Sequence, residues 1–442
     1  MEIVDKLSAA IRYKTVSYAD DAGIEYDQFE KFLNFLPTAF PLLFSSAEQS
    51  LIADYSLVLK IAGSDPAAQP VLLLAHYDVV PVEDEDQWEY PPFEGRVAEN
   101  SVWGRGALDN KGTLITVLQA AEEALQAGWK PQRSVYFASG HDEEIGGARG
   151  AKNIVRYFRE LGVHFHAVYD EGLTIVSPEI FSLVEKNTAF IGTSEKGHVD
   201  IELSVEGTSG HASMPPSSTA AGTLARAVAL VEKHPFPTRI IGPVAEMFKY
   251  IAPHTKGLTK LLLNNSRLYA ALLKPFLQKS HTSNALIRTT QAVTMLQGST
   301  KENVLPDRAS AVVNCRILPG ETIEDVVAHM HRAIKGLPVK IEPIARLQGN
   351  NPLPVSRIDQ EGYRWLETAI KRVYPDIIVA PSIVMATTDS RHFKECSDNI
   401  YRFVPFVLDR SLLGSIHSTN ERLPLDTLTK AVQVYARLFE HF

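Results

Sequence analysis

Five short stretches of this sequence combine histidine and carboxylate side chains in patterns that could hold a metal ion. They are His76-Tyr77-Asp78, Asp109 within GRGALDNKG, Glu143-Glu144 at the end of GHDEE, Asp170-Glu171-Gly172, and His417 within IHSTNE. Imidazole and carboxylate ligands are typical of sites for zinc or a similar divalent ion. The chain has only two cysteines, so a structural zinc site built from thiolates is excluded and a catalytic site is favoured.

Each stretch taken alone also has an ordinary structural explanation. A His-x-Asp pair is commonly a surface feature, Asp109 could be the N-cap of the helix that follows it, and the acids of GHDEE could form a solvated charge run. The setting of Glu143 and Glu144 favours a functional role, because carboxylates at the end of an apolar strand are costly without a cation. His76 and Asp78 share one strand face, so the carboxylate could orient the imidazole.

The elements that must position these residues alternate between strand and helix. Apolar runs at 71–75, 134–138 and 166–170 predict buried strands, while apolar residues at helical spacing predict helices at 113–127 and 148–161. This alternation predicts an α/β sheet that is covered by helices on both faces. The carboxyl ends of strands in such sheets are where sites form, and the acidic stretches follow these strands.

The pattern changes near residue 194. VDIELSV alternates with period two, and the following elements predict the order β-α-β-β-α-β of a ferredoxin-like α+β unit. A largely helical stretch at about 238–287 interrupts that unit. We therefore predict a discontinuous catalytic domain, with a mixed sheet flanked by helices, from residues 1–193 and 351–442, and an inserted lid or dimerisation domain at 194–350.

Composition limits the classes of partner. The 442 residues carry a formal net charge of −8, which predicts no affinity for nucleic acid or for an anionic membrane. Charged and polar residues interrupt the leucine-rich stretch 258–277, so no membrane span is expected. The first 20 residues lack a basic segment followed by an apolar core, so we expect no signal peptide and a cytoplasmic protein.

Ordered motifs along nearly the whole chain, from about residue 15 to the last helix, resemble the M20 family of di-zinc metallopeptidases. They are HYDVVP, WEYPPFEG, GRGALDNKG, GHDEEIGG, YDEG, GTSGHASMPP, KENVLP, NCRILPG, TTDSRHF and IHSTNE. GHDEE and RTTQAVTMLQGSTKENVLP are similar to the carboxypeptidase S and N-acyl amino acid hydrolase branch in particular.

The resemblance implies a role for each matching residue. Two zinc ions per subunit would be held by His76, Asp109 and Asp170 on one side and by Asp109, Glu144 and His417 on the other. Asp109 would bridge the two ions, which offsets their mutual repulsion. The remaining implied residues are Asp78 as the group orienting His76, Glu143 as general base, His211 as oxyanion stabiliser, and Asn303, Arg316 and Arg391 as ligands of a substrate carboxylate.

The implied activity is hydrolysis of an amide bond that releases an amino acid with a free α-carboxylate, from a small peptide or an N-acyl amino acid. A dipeptidase or aminoacylase acting on short polar substrates is the alternative, and a non-catalytic metal-binding protein is a further one. In homodimers of this family the histidine matching His211 commonly enters the partner's site. The segment 238–287 could line an acyl-chain channel or pack on the lid or a dimer interface.

Overall fold

The structure, a computed structural model, describes residues 1–345 and 349–442. The strands are β1 Glu48–Ile52, β2 Ser56–Ile61, β3 Val71–Leu74, β4 Arg96–Ala98, β5 Ser101–Trp103, β6 Val135–Ser139, β7 Ala167–Asp170, β8 Ile175–Val176, β9 Thr188–Glu195, β10 Gly197–Glu206, β11 Gly210–His211, β12 Thr290–Gln297, β13 Val304–Leu305, β14 Arg308–Ile317, β15 Lys340–Pro343, β16 Ile378–Val384, β17 Ile400–Arg402, β18 Val407–Leu408 and β19 Arg422–Pro424.

The helices are α1 Ile3–Ile11, α2 Tyr26–Ala39, α3 Pro41–Ser46, α4 Lys111–Gln126, α5 Ala151–Glu160, α6 Ala220–Lys233, α7 Gly242–Ile251, α8 Gly257–Asn264, α9 Ala270–Leu277, α10 His281–Leu286, α11 Ile323–Ala333, α12 Glu361–Val373, α13 Arg410–Ser415 and α14 Leu425–Phe439. No helix in the described ranges is both long enough and apolar enough to cross a membrane.

A ten-stranded mixed sheet forms the larger layer, in the order β1-β2-β6-β3-β7-β17-β9-β8-β18 with β16 paired to β9. Its central strands are apolar on both faces because helices cover both. Leu73 packs into the cluster that contains Leu114 of α4 and Leu428 of α14. Leu72 packs into the opposite cluster, with Ile154 of α5. The predicted α/β class, with a mixed sheet between helices, is confirmed.

The site is assembled where three neighbouring parallel strands end. Leu73 of β3 pairs with Phe137 of β6 on one side and with Tyr169 of β7 on the other. Because parallel strands end at one edge, the residues that follow β3, β6 and β7 come together there. Those residues include the HYD, GHDEE and DEG motifs, although they lie far apart in the sequence.

The second sheet has four antiparallel strands in the order β12-β14-β10-β15. Along the chain, its elements run β10, α6, β12, β14, α11, β15, as the ferredoxin-like pattern predicts. Burial alternates along β14, because α6 and α11 cover only one face. β9 of the large sheet continues to Glu195, past the boundary predicted at 193, and residues 346–348 of the predicted lid lie outside the described residues. The domain boundaries stay a prediction.

The helical segment α7–α10 packs against the large sheet. Val244, Met247 and Ile251 of α7 share a buried cluster with Ile378 and Ala380 of β16. The predicted alternatives for this segment are an acyl-chain channel and packing on the lid or on a dimer interface. The packing against β16 was not among these alternatives, because an apolar helix face does not reveal which neighbour covers it.

Candidate active site

His76 is the centre of one half of the site. It follows β3 and is buried, and its Nε2 lies 3.1 Å from Asp109 Oδ1 and 3.2 Å from Glu171 Oε1. Its other ring nitrogen, Nδ1, lies 3.1 Å from the backbone oxygen of Asp78 and 3.3 Å from Asp78 Oδ1. Nδ1 is therefore engaged by Asp78, and Nε2 is directed towards the carboxylates.

His417 is the centre of the other half. Its Nε2 lies 3.1 Å from Asp109 Oδ2 and 3.2 Å from Glu144 Oε2. The two oxygens of Asp109 thus face two different imidazoles. The short loop before β19 presents His417 with a φ of 60°, and the side chain stays half exposed. Asp109 therefore lies between the two histidines, and its carboxylate joins the ligand atoms around His76 to those around His417.

The donor set fits divalent cations. Burial raises the pKa of Glu144 to about 7 and that of Glu171 to about 8, although the nearby imidazoles oppose the rise. Several ionised carboxylates in one buried site need positive charge beside them. Glu144 Oε1 is also buried and has no hydrogen-bond partner among the described residues, which suits an oxygen that binds a cation. His76, Asp109 and Glu144 form one compact ligand cluster, and His76, Glu143 and Glu171 form another.

Asp78 connects the first histidine to the GHDEE loop. Its Oδ1 accepts a hydrogen bond from the backbone N–H of Glu143 at 3.1 Å, and its Oδ2 accepts one from that of Glu144 at 3.2 Å. The hydroxyl of Ser17 donates to Oδ2 at 2.7 Å. One fully buried carboxylate therefore positions His76 and both glutamates, a role wider than the orienting role predicted for it.

Glu421 holds the loop that carries Asp109. Its Oε1 accepts hydrogen bonds from the backbone N–H groups of Gly106, Leu108 and Asp109, and its Oε2 pairs with Arg105 Nη1 at 2.6 Å. The side chain is fully buried. Sequence analysis did not assign Glu421 a role, although the IHSTNE motif includes it.

Glu171 contacts His76 Nε2 at 3.2 Å, whereas Asp170 forms no salt bridge with His76 among the described residues, although Asp170 and His76 both line one small cavity. Asp170 is the last residue of β7, and its Oδ2 accepts a 2.9 Å hydrogen bond from the backbone N–H of Ser390. Asp170 belongs to neither of the ligand clusters found in the described residues, whereas Glu171 belongs to one. Strand geometry explains the difference, because adjacent residues at a strand end project in different directions.

Glu143 belongs to the second of these clusters, and it also lines a cleft. Burial raises the pKa of the Glu143 carboxyl well above its usual range. The guanidinium of Arg391 lies 4.0 Å from its Oε1. Glu144 lies within salt-bridge distance of His417, whereas Glu143 forms no such contact with His417 in the described structure. The two adjacent glutamates therefore occupy different environments, as their separate predicted roles require.

The cleft has a volume of about 1080 Å³ and runs between the two sheets. Glu143, Glu144 and His417 line it from the large-sheet side. Arg316 of β14 lines it from the four-stranded sheet, and Arg391 lines it from the TTDSRHF segment. Arg149 and Lys152 line the same cleft as well, and such a concentration of cations suits a substrate that carries a carboxylate.

His211 and Asn303 occupy a different place. β11 pairs with β13 so that His211 faces Val304, and the backbone N–H of Ala212 donates to the Asn303 carbonyl at 3.0 Å. His211 is exposed, and its Nδ1 contacts Ser213. Both residues are described, yet neither is among those that line the cleft of the same chain. The structure brings these two residues to each other and not to the metal-ligand cluster.

Other residues of the motifs have structural contacts. His141 Nδ1 lies 2.7 Å from the hydroxyl of Ser56. Asp142 accepts hydrogen bonds from the backbone N–H groups of Arg149 and Gly150. An added Cβ at Gly147, whose φ is +66°, would lie only 2.3 Å from Asp389 Oδ1. These contacts fix the path of the loop on both sides of Glu143 and Glu144.

Comparison with known proteins gives a consistent family. Residues 72–441 match the family described as Peptidase family M20/M25/M40. A probable carboxypeptidase S-like 2 of Dictyostelium discoideum is 38% identical over all of this chain and 85% of its own length. The N-fatty-acyl-amino acid synthase/hydrolase PM20D1 of Xenopus tropicalis is 37% identical over all of this chain and 86% of its own length.

Solved structures show the same fold. The M20 family metallo-carboxypeptidase Sso-CP2 from Sulfolobus solfataricus superimposes with a TM-score of 0.71 at 18% identity, covering 100% of this chain and 99% of its own. Human carnosine dipeptidase 1 superimposes with a TM-score of 0.67 at 15% identity, over 99% and 95% of the two chains. The chain belongs to the M20 peptidase family and is a metal-dependent amide hydrolase.

Proposed function

We propose that the enzyme releases an amino acid with a free α-carboxylate, from an N-acyl amino acid or from the C-terminus of a short peptide. The observation that carries this proposal is the shared cleft, which Glu143, Glu144 and His417 line together with Arg316 and Arg391. Asp109 joins this cleft to His76, because its two carboxylate oxygens contact His417 and His76. A metal-ligand set beside two arginines suits a substrate whose scissile amide lies near a carboxylate.

The metal content that we propose is two zinc ions per subunit. His76, Asp109 and Glu171 would hold one ion, and Asp109, Glu144 and His417 would hold the other. This assignment replaces Asp170 with Glu171 on the strength of the 3.2 Å contact between Glu171 and His76. Nitrogen and carboxylate donors without thiolate suit catalytic zinc, and a shared carboxylate suits a pair of close cations.

Residues of this chain would transfer the protons and hold the groups that react. When bound, such ions lower the pKa of a water molecule and polarise a carbonyl group. Glu143 would accept the proton of the attacking water and deliver it to the leaving nitrogen. Its raised pKa suits the second of these steps, since a protonated carboxyl must persist long enough to act as an acid. Asp78 keeps Glu143 in place through the backbone N–H.

Substrate binding would use residues of two subunits. Arg316 and Arg391 would bind the free carboxylate within one chain. His211 and Asn303 lie together outside that cleft, so they would act in the cleft of a second copy, with His211 stabilising the oxyanion. A homodimer formed through the four-stranded sheet would make this arrangement possible.

The acyl side of the substrate separates the leading function from its alternative. The relatives named as N-fatty-acyl-amino acid synthase/hydrolases favour an N-acyl amino acid, whereas a dipeptidase would act on short polar substrates. No described residue of 238–287 lines the cleft, which weakens the idea that this segment forms an acyl channel.

A substrate panel tests the proposal. The zinc-loaded enzyme would be assayed on N-acyl amino acids of increasing acyl length, on dipeptides, and on the matching C-terminal amides. We expect kcat/KM to fall by about 10- to 100-fold when the carboxylate is blocked, because charged hydrogen bonds are lost. Equal rates on acids and amides would contradict the proposal. Preference for short polar dipeptides would favour the alternative.

A further inference from the structure

Helices α8 and α9, with the turn between them, present apolar side chains to solvent. Five large residues there are exposed by 49% to 77%, and we call them the apolar surface: Leu258, Leu261, Leu268, Leu272 and Phe276. Leu272 and Phe276 are four residues apart, so they share one face of α9. Exposed apolar residues grouped in this way mark an interaction site more often than scattered ones do.

A neighbouring face of α9 is covered by the protein itself. Leu273 and Leu277 are buried in the cluster that contains Met247 and Ile251 of α7. The helix is therefore anchored to the protein by one apolar stripe, while its second stripe has no covering neighbour in the described part of the chain. A helix whose apolar surface extends beyond the stripe that its own protein covers indicates a second apolar environment.

The charged residues of the segment that carries the apolar surface all have one sign. From Met247 to Lys301 the sequence contains eight Lys or Arg residues and no Asp or Glu, although the whole chain has a net charge of −8. Lys256, Lys260, Arg267 and Lys279 are exposed within this segment. Among the residues that the structure describes, no carboxylate forms a salt bridge with any of these four.

We propose that the apolar surface docks on an anionic lipid bilayer, with the protein remaining at the membrane face. Leucine and phenylalanine interleaved with lysine and arginine are typical of interfacial segments, and anionic headgroups attract exposed basic residues. The net charge of the chain predicted no such attraction. The charges near the docking surface determine this attraction, because salt screens charges that lie farther away than about 10 Å.

A second copy of the chain is a poorer occupant. Symmetric contact between two copies would bring the same basic segments together, and this segment offers no carboxylate to pair with them. The docking face is also separate from the cleft, since none of the five apolar residues lines it. The inference therefore does not depend on the proposed substrate.

Vesicle sedimentation of the full chain tests the inference. The probes are vesicles of phosphatidylcholine alone and of phosphatidylcholine mixed with phosphatidylglycerol. We expect sedimentation only with the anionic vesicles, weakened by added salt. The triple variants Leu268→Ser/Leu272→Ser/Phe276→Ser and Lys256→Glu/Lys260→Glu/Lys279→Glu should each lower the partition coefficient by at least about tenfold.

Matched variants elsewhere keep the test specific. Leu51→Ser/Leu161→Ser removes apolar residues of similar exposure, and Lys130→Glu/Lys335→Glu makes similar charge changes; both should bind as the wild type does. Hydrolysis of a soluble substrate by every variant would show that the fold is retained. Absence of vesicle binding, or equal binding to both vesicle types, would overturn the inference. A changed oligomer mass in the serine variant with unchanged vesicle binding would assign the face to a second copy instead.

Discussion

The carboxylate of Glu421 accepts a 3.1 Å hydrogen bond from the backbone N–H of Asp109, whose side chain lies between His76 and His417. Glu421 is itself only four residues beyond His417. One buried side chain therefore connects the loop that carries the central carboxylate to the loop that carries the second histidine. Its partner Arg105 is buried as well, so the connection is shielded from solvent.

Glu421→Gln should weaken both folding and metal binding. The amide keeps one oxygen for the backbone N–H groups but leaves Arg105 as an unpaired buried cation. We expect the free energy of unfolding, measured in urea, to fall by about 3–5 kcal/mol. Metal affinity, measured by chelator competition, should fall by about 10- to 100-fold. Glu440→Gln, at an exposed ion pair, is the control and should change stability by no more than about 1 kcal/mol. Wild-type stability in Glu421→Gln would contradict this role.

Glu171→Gln and Asp170→Asn separate the two adjacent acids. Because Glu171 contacts His76 and Asp170 accepts from a backbone N–H, the first substitution should cost more metal affinity. We expect at least about a tenfold loss for Glu171→Gln and a smaller loss for Asp170→Asn, measured by metal content after dialysis against graded chelator. A larger loss of metal affinity in Asp170→Asn than in Glu171→Gln would indicate that Asp170 is the ligand, as the family resemblance implies.

Arg316→Ala tests recognition of the substrate carboxylate. The loss of a charged hydrogen-bond donor from the cleft should raise KM for an N-acyl amino acid by about 10- to 100-fold. The preference of the variant for the acid over its C-terminal amide should become smaller, while Arg391 keeps part of it. Arg332→Ala, an exposed arginine of α11, serves as the matched control. Unchanged discrimination between acid and amide in Arg316→Ala would exclude this residue from carboxylate binding.

His392 should make stability depend on pH. Burial lowers the pKa of His392 to about 4, while an unfolded histidine titrates near about 6.5. The unfolded chain therefore binds more protons between these values, and the free energy of unfolding rises with pH across that window. His392→Gln should remove roughly 1–3 kcal/mol of this dependence in urea titrations from pH 4 to 7. An identical pH curve would show that His392 contributes nothing.

Pattern and spacing predict the elements well, because apolar periodicity reports burial directly. The helix predicted at 113–127 begins and ends within two residues of α4. The four-stranded sheet follows the predicted chain order. Parallel pairing of β3 with β6 and β7 brings His76 close to the GHDEE loop. The predicted parallel arrangement is therefore enough to expect this proximity.

The features of the site that the sequence does not predict depend on contacts between residues that are distant or whose direction is unknown from the sequence. Asp170 and Glu171 are adjacent acids, and only the backbone direction at the end of β7 decides which one faces His76. Glu421 looks like an ordinary polar residue until the loop at Arg105 encloses it.

The central claim is that Glu143 moves the proton while its neighbours hold the metal. The most direct measurement is kcat of metal-loaded Glu143→Gln on an N-acyl amino acid, taken together with its metal content. We predict unchanged metal content and a kcat lower by about 10²- to 10⁴-fold, since the amide cannot accept the proton. A variant that retains its metal and hydrolyses at the wild-type rate would contradict the account.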